Sequence, residues 1–477
     1  MITAVPRVIT TGPMPPEKLA YALARYSRSP DSIRDSVEWV RAHDSSKFLE
    51  SFYFQYGHAS IADLGHLALC FEGVSELAAV EIEDEPLWDG QARSSRYQDF
   101  ARGGFVTPPE AQGNAAQIYA RAAQQLLEAY RRLHARMVEH LRSKLPRPDS
   151  MKPDAYERNI AARAFDVARY LLFLGVPTGV GQVTSIRTLE RQIRRWRASE
   201  YAELREIGEE TAAACARPPE VEWEPAARPE PLAPTLAKYV DPDPHPPAAL
   251  AAVSQWACAN LPAWDGAEAG PVRLTRIDDP LAGIAATLLY SVTQWPFEPL
   301  YQSVRSWSRA RRVEVLEAAL GPRGRRDELL RAFRTAPYAF DLRIDIGAYR
   351  DLHRHRRCHQ ARQAWTWRHG FETPDAVREA GLESEYNAAL EAARQAAGRL
   401  PEKASHYLLP FAARGRFLFQ MDFAEAEYII RLRSGVKGHF SYRRAAWEMK
   451  QEMERVEPEL GRLIEATPPW VEDPLVR

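Results

Sequence analysis

The stretch Asp351-Leu352-His353-Arg354-His355-Arg356-Arg357-Cys358-His359-Gln360 puts three histidines, three arginines and a cysteine into ten residues. Side chains of these types support three chemistries. Imidazole and thiolate are zinc ligands, yet no second ligand pair follows at a zinc-finger distance. The glutamate of HExxH is missing, and three guanidiniums raise the cost of a dication. No metal is therefore expected. The same run reads as a solvated basic face, or, with Trp365, Trp367 and Phe371 downstream, as a surface on which nucleic-acid bases stack. The third chemistry is an anion pocket. Arginine presents a rigid fork that grips a phosphate or a deprotonated heterocycle at two points. Arg354-His355-Arg356 sets two such forks around one imidazole. Cys358 beside these cations would be a reactive thiol if exposed and an inert filler if buried.

Charge limits the choice. The 477 residues carry 63 basic and 64 acidic side chains, a net charge of −1. That balance argues against a general nucleic-acid coat but leaves room for a local basic pocket. The four cysteines are scattered, with no CxxC, so a reduced, cytoplasmic setting is expected. The opening MITAVPRVIT lacks the basic n-region of a signal peptide. No apolar run approaches the ~18 residues of a membrane span.

The elements that must position the triplet show in the patterning. Arg217–Pro247 holds ten prolines. Proline fixes φ and removes amide donors, so this stretch is expected to be a linker or a wrapping arm. It divides the chain into residues 1–216, a Pro-rich linker 217–248, and residues 249–477, which carry the triplet. The flanking parts look alike. Tyr170-Leu171-Leu172, Glu190, Ile193 and Arg194 meet Tyr407-Leu408-Leu409, Glu427, Ile430 and Arg431 at an offset of 237 (Tyr170 to Tyr407). Ile118, Leu126, Tyr130, Leu133, Met137 and Leu141 recur at helical spacing. Leu382–Leu400 is rich in alanine and glutamate, which favours a helix. LGHLALCFEGVSEL and YAFDLRIDIGAYRD each suit a strand turning into a helix. The expected class is α+β: two related modules, each a mixed or antiparallel sheet packed with long helices.

These pieces resemble the flavin-dependent thymidylate synthases. Their signature is an Arg-His-Arg triplet, a spacer, then a serine followed by Arg-Tyr. A strand of F-x-x-E-G-V-S character precedes it, and a Gly-His-x-Ser stands further upstream. Here the pieces are divided. Gly57-His58-Ala59-Ser60, Phe71-Glu72-Gly73-Val74-Ser75 and Ser94-Ser95-Arg96-Tyr97 lie in the first part, where Asp84-Glu85-Pro86 occupies the triplet position with reversed charge. Arg354-His355-Arg356 lies in the second, where Ala364, Thr366 and Trp367 replace the serine, arginine and tyrosine. The resemblance implies a tandem fusion of two diverged modules. The family is homotetrameric with sites built from several subunits, so a tandem homodimer would form a pseudo-tetramer.

It also implies the chemistry. FAD would take electrons from NADPH, methylenetetrahydrofolate would supply a one-carbon unit to C5 of dUMP, and reduced FAD would supply the hydride. Arg354 matches the arginine at the nucleotide ring and is the expected catalytic residue. His355, Arg356, His58, Ser60 and Arg187 match flavin contacts; Ser94, Arg96 and Arg433 match nucleotide contacts. One site would then draw on both modules. Two departures bear on the substrate. The family's glutamine before the triplet aligns with Asp351 or Glu81, and Ala364 lacks the serine hydroxyl. Modification of another pyrimidine nucleotide stays open, as does a decayed nucleotide- or RNA-binding relative.

Overall fold

A computed structural model describes residues 9, 11–43, 59–96, 99–221, 230–235, 237, 240–266, 270–324, 327, 329–473 and 475. Seven strands run through these: β1 (His66–Ser75), β2 (Asp89–Ala92), β3 (Pro177–Ser185), β4 (Val272–Arg276), β5 (Tyr338–Asp345), β6 (His359–Arg362) and β7 (Arg414–Met421). The first three form a sheet of order β1-β3-β2. The other four form an antiparallel sheet of order β4-β5-β7-β6. With many helices beside them, the class is α+β. Among the described residues no helix is long and apolar enough to cross a membrane.

Local chemistry explains the elements. Asn114–Lys144 is one helix, and its buried stripe contains all six residues of the periodic pattern from Ile118 to Leu141. β5 is almost wholly buried, as a near-continuous run of large side chains requires. Four helices start directly after a strand, and each has a capping oxygen in place. Ser75 accepts from Ala78 N (3.0 Å), Ser185 from Thr188 N (3.2 Å), Asp345 from Ala348 N (2.7 Å) and Asp422 from Glu425 N (2.9 Å). Each cap contributes about 1 kcal/mol and fixes where strand becomes helix.

The two sheets repeat one plan. β2 and β6 are related by an offset of 270 (Asp89 to His359), as are the junctions Ser75 and Asp345. β3 and the Ile186–Arg197 helix map onto β7 and the Phe423–Ser434 helix at the offset of 237. The order β1-β3-β2 then matches β5-β7-β6.

The chain groups into two compact units. One comprises residues 1–71, 87–91 and 180–243, the other residues 72–86, 92–179 and 244–477. In the first, Leu67, Ile186, Leu189 and Ile193 pack with Ala20, Cys215 and Ala233. Part of the Pro-rich stretch wraps this core: Ala233 N donates to Cys215 O (2.8 Å), and Thr235 N donates to the buried Glu17 carboxylate (3.1 Å). A helix begins at His245, inside the stretch expected to be linker. Pro246 and Pro247 stand in its first turn, where the missing N–H would have no partner anyway.

In the second unit, two like segments pair across a local two-fold. Leu174 N donates to Leu409 O (2.9 Å) and Phe411 N to Leu172 O (2.7 Å). Gly175 N donates to Tyr407 O (2.7 Å) and Ala412 N to Tyr170 O (3.1 Å). At the offset of 237 each bond is the other's mirror, and Phe173 bridges its own counterpart, Pro410. The neighbouring helix starts repeat the match. Glu76 N and Leu77 N donate to Val176 O and Leu174 O, as Ile346 N and Gly347 N donate to Ala413 O and Phe411 O.

Candidate functional site

The triplet sits in the turn between the Ile346–Leu352 helix and β6. Two buried ion pairs hold that helix. Arg350 Nη2 lies 2.7 Å from Glu76 Oε2, and Arg169 Nη2 lies 3.1 Å from Asp351 Oδ2. Arg350 also donates to Ser95 Oγ (3.4 Å) and lies 4.7 Å over the Phe411 ring. Burial pushes the Glu76 carboxyl up to about 7, against the pull of Arg350 and Arg354. Burial opposes ionisation of Asp351 as well, but Arg169, Arg354, Arg350 and Arg96 together hold it below the usual carboxylate range. Pairs of this kind fix geometry more than they add net stability, because desolvation offsets much of the attraction.

The three triplet side chains differ. Arg354 is half-buried, and its guanidinium has no hydrogen-bond or ion-pair partner among the described residues; it acts on Asp351 and Glu76 only through its charge. His355 is buried and engaged on both sides. Its Nε2 accepts from Arg433 Nε (2.8 Å), and its Nδ1 faces Glu425 Oε1 at 3.6 Å. Since a guanidinium only donates, the proton must sit on Nδ1, towards Glu425. Burial, with Arg433 and Arg356, lowers the His355 pKa despite Glu425, so the ring is neutral at pH 7. At 3.6 Å from Glu425 Oε1, Nδ1 is too far for a direct hydrogen bond. Arg356 is half-buried, with Nη1 3.4 Å from Arg354 O.

The remaining members of the stretch support the turn. Cys358 Sγ donates to His355 O (2.8 Å), and burial pushes its thiol well up, so it is a filler and not a reactive thiol. Native protein should therefore give two fast-reacting thiols, the exposed Cys70 and Cys258, and all four only after unfolding; colorimetric titration with an aromatic disulfide reagent reads this directly. Among the described residues no three His, Cys, Asp or Glu side chains are arranged to hold a metal. Trp365 is core, its edge towards Tyr349 and Phe417.

Two residues expected from the flanking sequence reach the same neighbourhood. Arg433 lies 5.6 Å over the Tyr442 ring. Beyond its bond to His355, its terminal nitrogens have no partner among the described residues. Arg96 reaches the same Tyr442, with Nη1 3.5 Å from its hydroxyl. Its fork is not open, however: Nε and Nη2 lie 2.7 and 3.2 Å from the Asp166 carboxylate, and Nη2 also donates to Lys437 O (3.3 Å). Ser94 Oγ accepts from Arg96 N (3.4 Å) and shapes that turn. The charge-reversed Asp84 is neutralised by Arg331, Nη1 to Oδ1 at 2.5 Å.

Ser60 and Arg187 belong to the other compact unit. Ser60 is exposed in a short Ala59–Ile61 turn, and Arg187 pairs with Asp63 at 3.1 Å. His58 lies outside the described residues. Reading the sequence missed Glu76, Asp166, Arg169, Arg350, Glu425 and Tyr442. None carries a local mark; Arg169 and Arg350 look like any surface arginine until their burial is known.

The chain is 26% identical over 424 residues to a UPF0159 protein of Chlamydia muridarum, covering 84% of this chain and 77% of that one. It is 25% identical over 483 residues to the UPF0159 protein Ta1429 of Thermoplasma acidophilum, covering 93% of each. Among solved structures, a flavin-dependent thymidylate synthase from Helicobacter pylori, complexed with FAD and dUMP, aligns at 16% identity and a TM-score of 0.26 over 42% of this chain and 89% of that one. Residues 8–217 and 286–459, on both sides of the Pro-rich stretch, match the family described as thymidylate synthase complementing protein, and the chain belongs to that family.

Proposed function

We propose that the chain is a flavin-dependent enzyme of thymidylate synthase type, which transfers a one-carbon unit to C5 of dUMP. The observation that carries this reading is the pair of half-buried guanidiniums with open donors, Arg354 and Arg433, around the Asp351–Arg96–Tyr442 scaffold. Desolvated open forks of this kind bind phosphate and anionic heterocycles. Reduced flavin is such an anion, and Arg354 and Arg356 suit it. When bound, FAD would supply the hydride after reduction by NADPH, with methylenetetrahydrofolate as the carbon source. Arg354 would stabilise charge building on the uracil ring. Arg433 would hold the nucleotide, with His355 and Glu425 orienting it. Arg96 and Ser94 would shape that wall through Tyr442 and the turn. Ser60, His58 and Arg187 are proposed as further flavin contacts.

Family membership supports the reaction class. The acid at Asp351 does not weigh against a phosphate, because four arginines already neutralise it. The mirrored backbone bonds support the tandem origin, 1–216 joined to 249–477. An isologous contact, in which i meets j and j meets i, marks two copies of one subunit; here it lies within one chain. A homodimer would then be the pseudo-tetramer. The test is flavin uptake followed by tritium release from dUMP labelled at C5. The protein should turn yellow with FAD, bleach with NADPH and release tritium when methylenetetrahydrofolate is added. A protein that takes up no FAD would end this reading; one that bleaches but releases tritium only from another pyrimidine nucleotide would move the substrate and keep the chemistry.

A further inference from the structure

The Phe423–Ser434 helix, which lies wholly in the second unit, carries apolar side chains on two faces. Ala426, Ile429 and Ile430 are buried. On the opposite face Ala424, Tyr428 and Leu432 stand one turn apart and are exposed, Tyr428 by 46% and Leu432 by 50%. A single exposed apolar side chain is ordinary. A ridge of them, on a helix that is also apolar on its inner side, is a surface expected to be covered.

The repeat supplies an internal comparison. At the offset of 237, Ala424, Tyr428 and Leu432 correspond to Arg187, Arg191 and Arg195 of the Ile186–Arg197 helix. Both helices follow the matching strand and bury the matching side: Thr188, Leu189, Gln192 and Ile193 in one, Glu425, Ala426, Ile429 and Ile430 in the other. The outer ridges differ in kind, guanidinium on one helix and apolar on the other. Packing of the inner side does not account for that, because the ridge points away from it. What lies against the ridge must differ between the two helices.

The apolar ridge is complementary to itself. Glu427 and Arg431 flank it on one side, paired at 2.7 Å. In an antiparallel pair of such helices about a two-fold, i meets j and j meets i. Tyr428 then meets Leu432 of the second copy, and Glu427 meets Arg431 of the second copy along the flank. Apolar faces apolar, and acid faces base. The ridge of Arg187, Arg191 and Arg195 would set like charges against each other in the same arrangement. We infer that the Phe423–Ser434 helix is the self-association surface of this chain and packs antiparallel on its equivalent in a second copy. Tyr428 stands edge to face with His355, ring centroids 5.7 Å apart, so the second copy's helix borders the candidate site. This deepens the homodimer reading above by naming its surface. Its test needs neither flavin nor substrate, so it stands or fails apart from the enzymatic reading.

Analytical ultracentrifugation of the full chain tests it. The wild type should sediment as a dimer at micromolar concentration. Tyr428→Arg combined with Leu432→Arg gives the helix the residues of its own repeat. That variant should keep the wild-type circular dichroism and sediment as a monomer, with the dimer dissociation constant raised ~100-fold or more. If the pair fails to fold, Leu432→Ser alone provides the second variant, with a rise of about tenfold expected. A monomeric wild type, or a folded variant that associates as tightly as the wild type, overturns the inference. Unchanged association with lost FAD uptake also overturns it and gives the ridge to a ligand ring instead.

Discussion

Arg354→Ala should lower kcat for tritium release by about 10²- to 10³-fold, the loss typical when one group aimed at developing transition-state charge is removed (~2.7–4 kcal/mol). Melting should hardly move. The Arg354 guanidinium contacts no protein acceptor among the described residues, and side chains of that kind change stability by no more than about 0.5 kcal/mol. Asp351 keeps Arg169, Arg350 and Arg96 when Arg354 is gone, so no buried carboxylate is stranded. Arg354→Lys retains the charge but not the planar fork, and should recover only part of the loss. Wild-type turnover in the alanine variant would remove Arg354 from the chemistry. A large drop in melting temperature would mean that its role is structural.

The opposite pattern is expected at Asp166. Asp166→Ala should destabilise the fold by about 3–5 kcal/mol, the cost of breaking a buried pair and stranding its partner. The Asp166 side chain is 2% exposed and the Arg96 side chain 13%. Removing the carboxylate leaves the Arg96 guanidinium desolvated, next to the fully buried Arg169, whose charge Asp166 also offsets. Two like charges then face each other with less screening than water gives. Activity should fall too, because Arg96 bears on Tyr442 and Tyr442 on Arg433. Chemical denaturation reads the first effect, and the KM for nucleotide reads the second. Asp166→Asn should fall between, keeping an acceptor without its charge. A loss below about 1 kcal/mol would place the pair among the weak surface bridges.

The contrast between Arg354 and Arg96 shows what could be read beforehand. Both are arginines at motif positions, and by residue type both are anion forks. Whether a fork is open depends on which acceptors lie within about 3 Å of it, and that is a property of the tertiary structure. Asp166 is 70 residues from Arg96, and Glu76 is 274 from Arg350. No local pattern ties such partners together. His355 is a similar case: its type and place suggested a ligand contact, and only the fold set it between Arg433 and Glu425.

Elements set by local forces were legible. Periodic apolar residues placed the Asn114–Lys144 helix, because a helix must bury one stripe. The β-branched, aromatic and glycine pattern of YAFDLRIDIGAYRD placed β5 and its turn into a helix; the structure adds the Asp345 cap that fixes that turn. The spacing of Arg354-His355-Arg356, and the like segments at Tyr170 and Tyr407, stood in the sequence as well. Only the folded chain decided that those like segments pair with each other through mirrored backbone bonds, that Arg354 and Arg433 keep open donors, and that Arg96 does not. Secondary structure answers to neighbours a few residues away; the state of a buried charge answers to whatever the fold brings within a few ångströms, wherever in the chain it began.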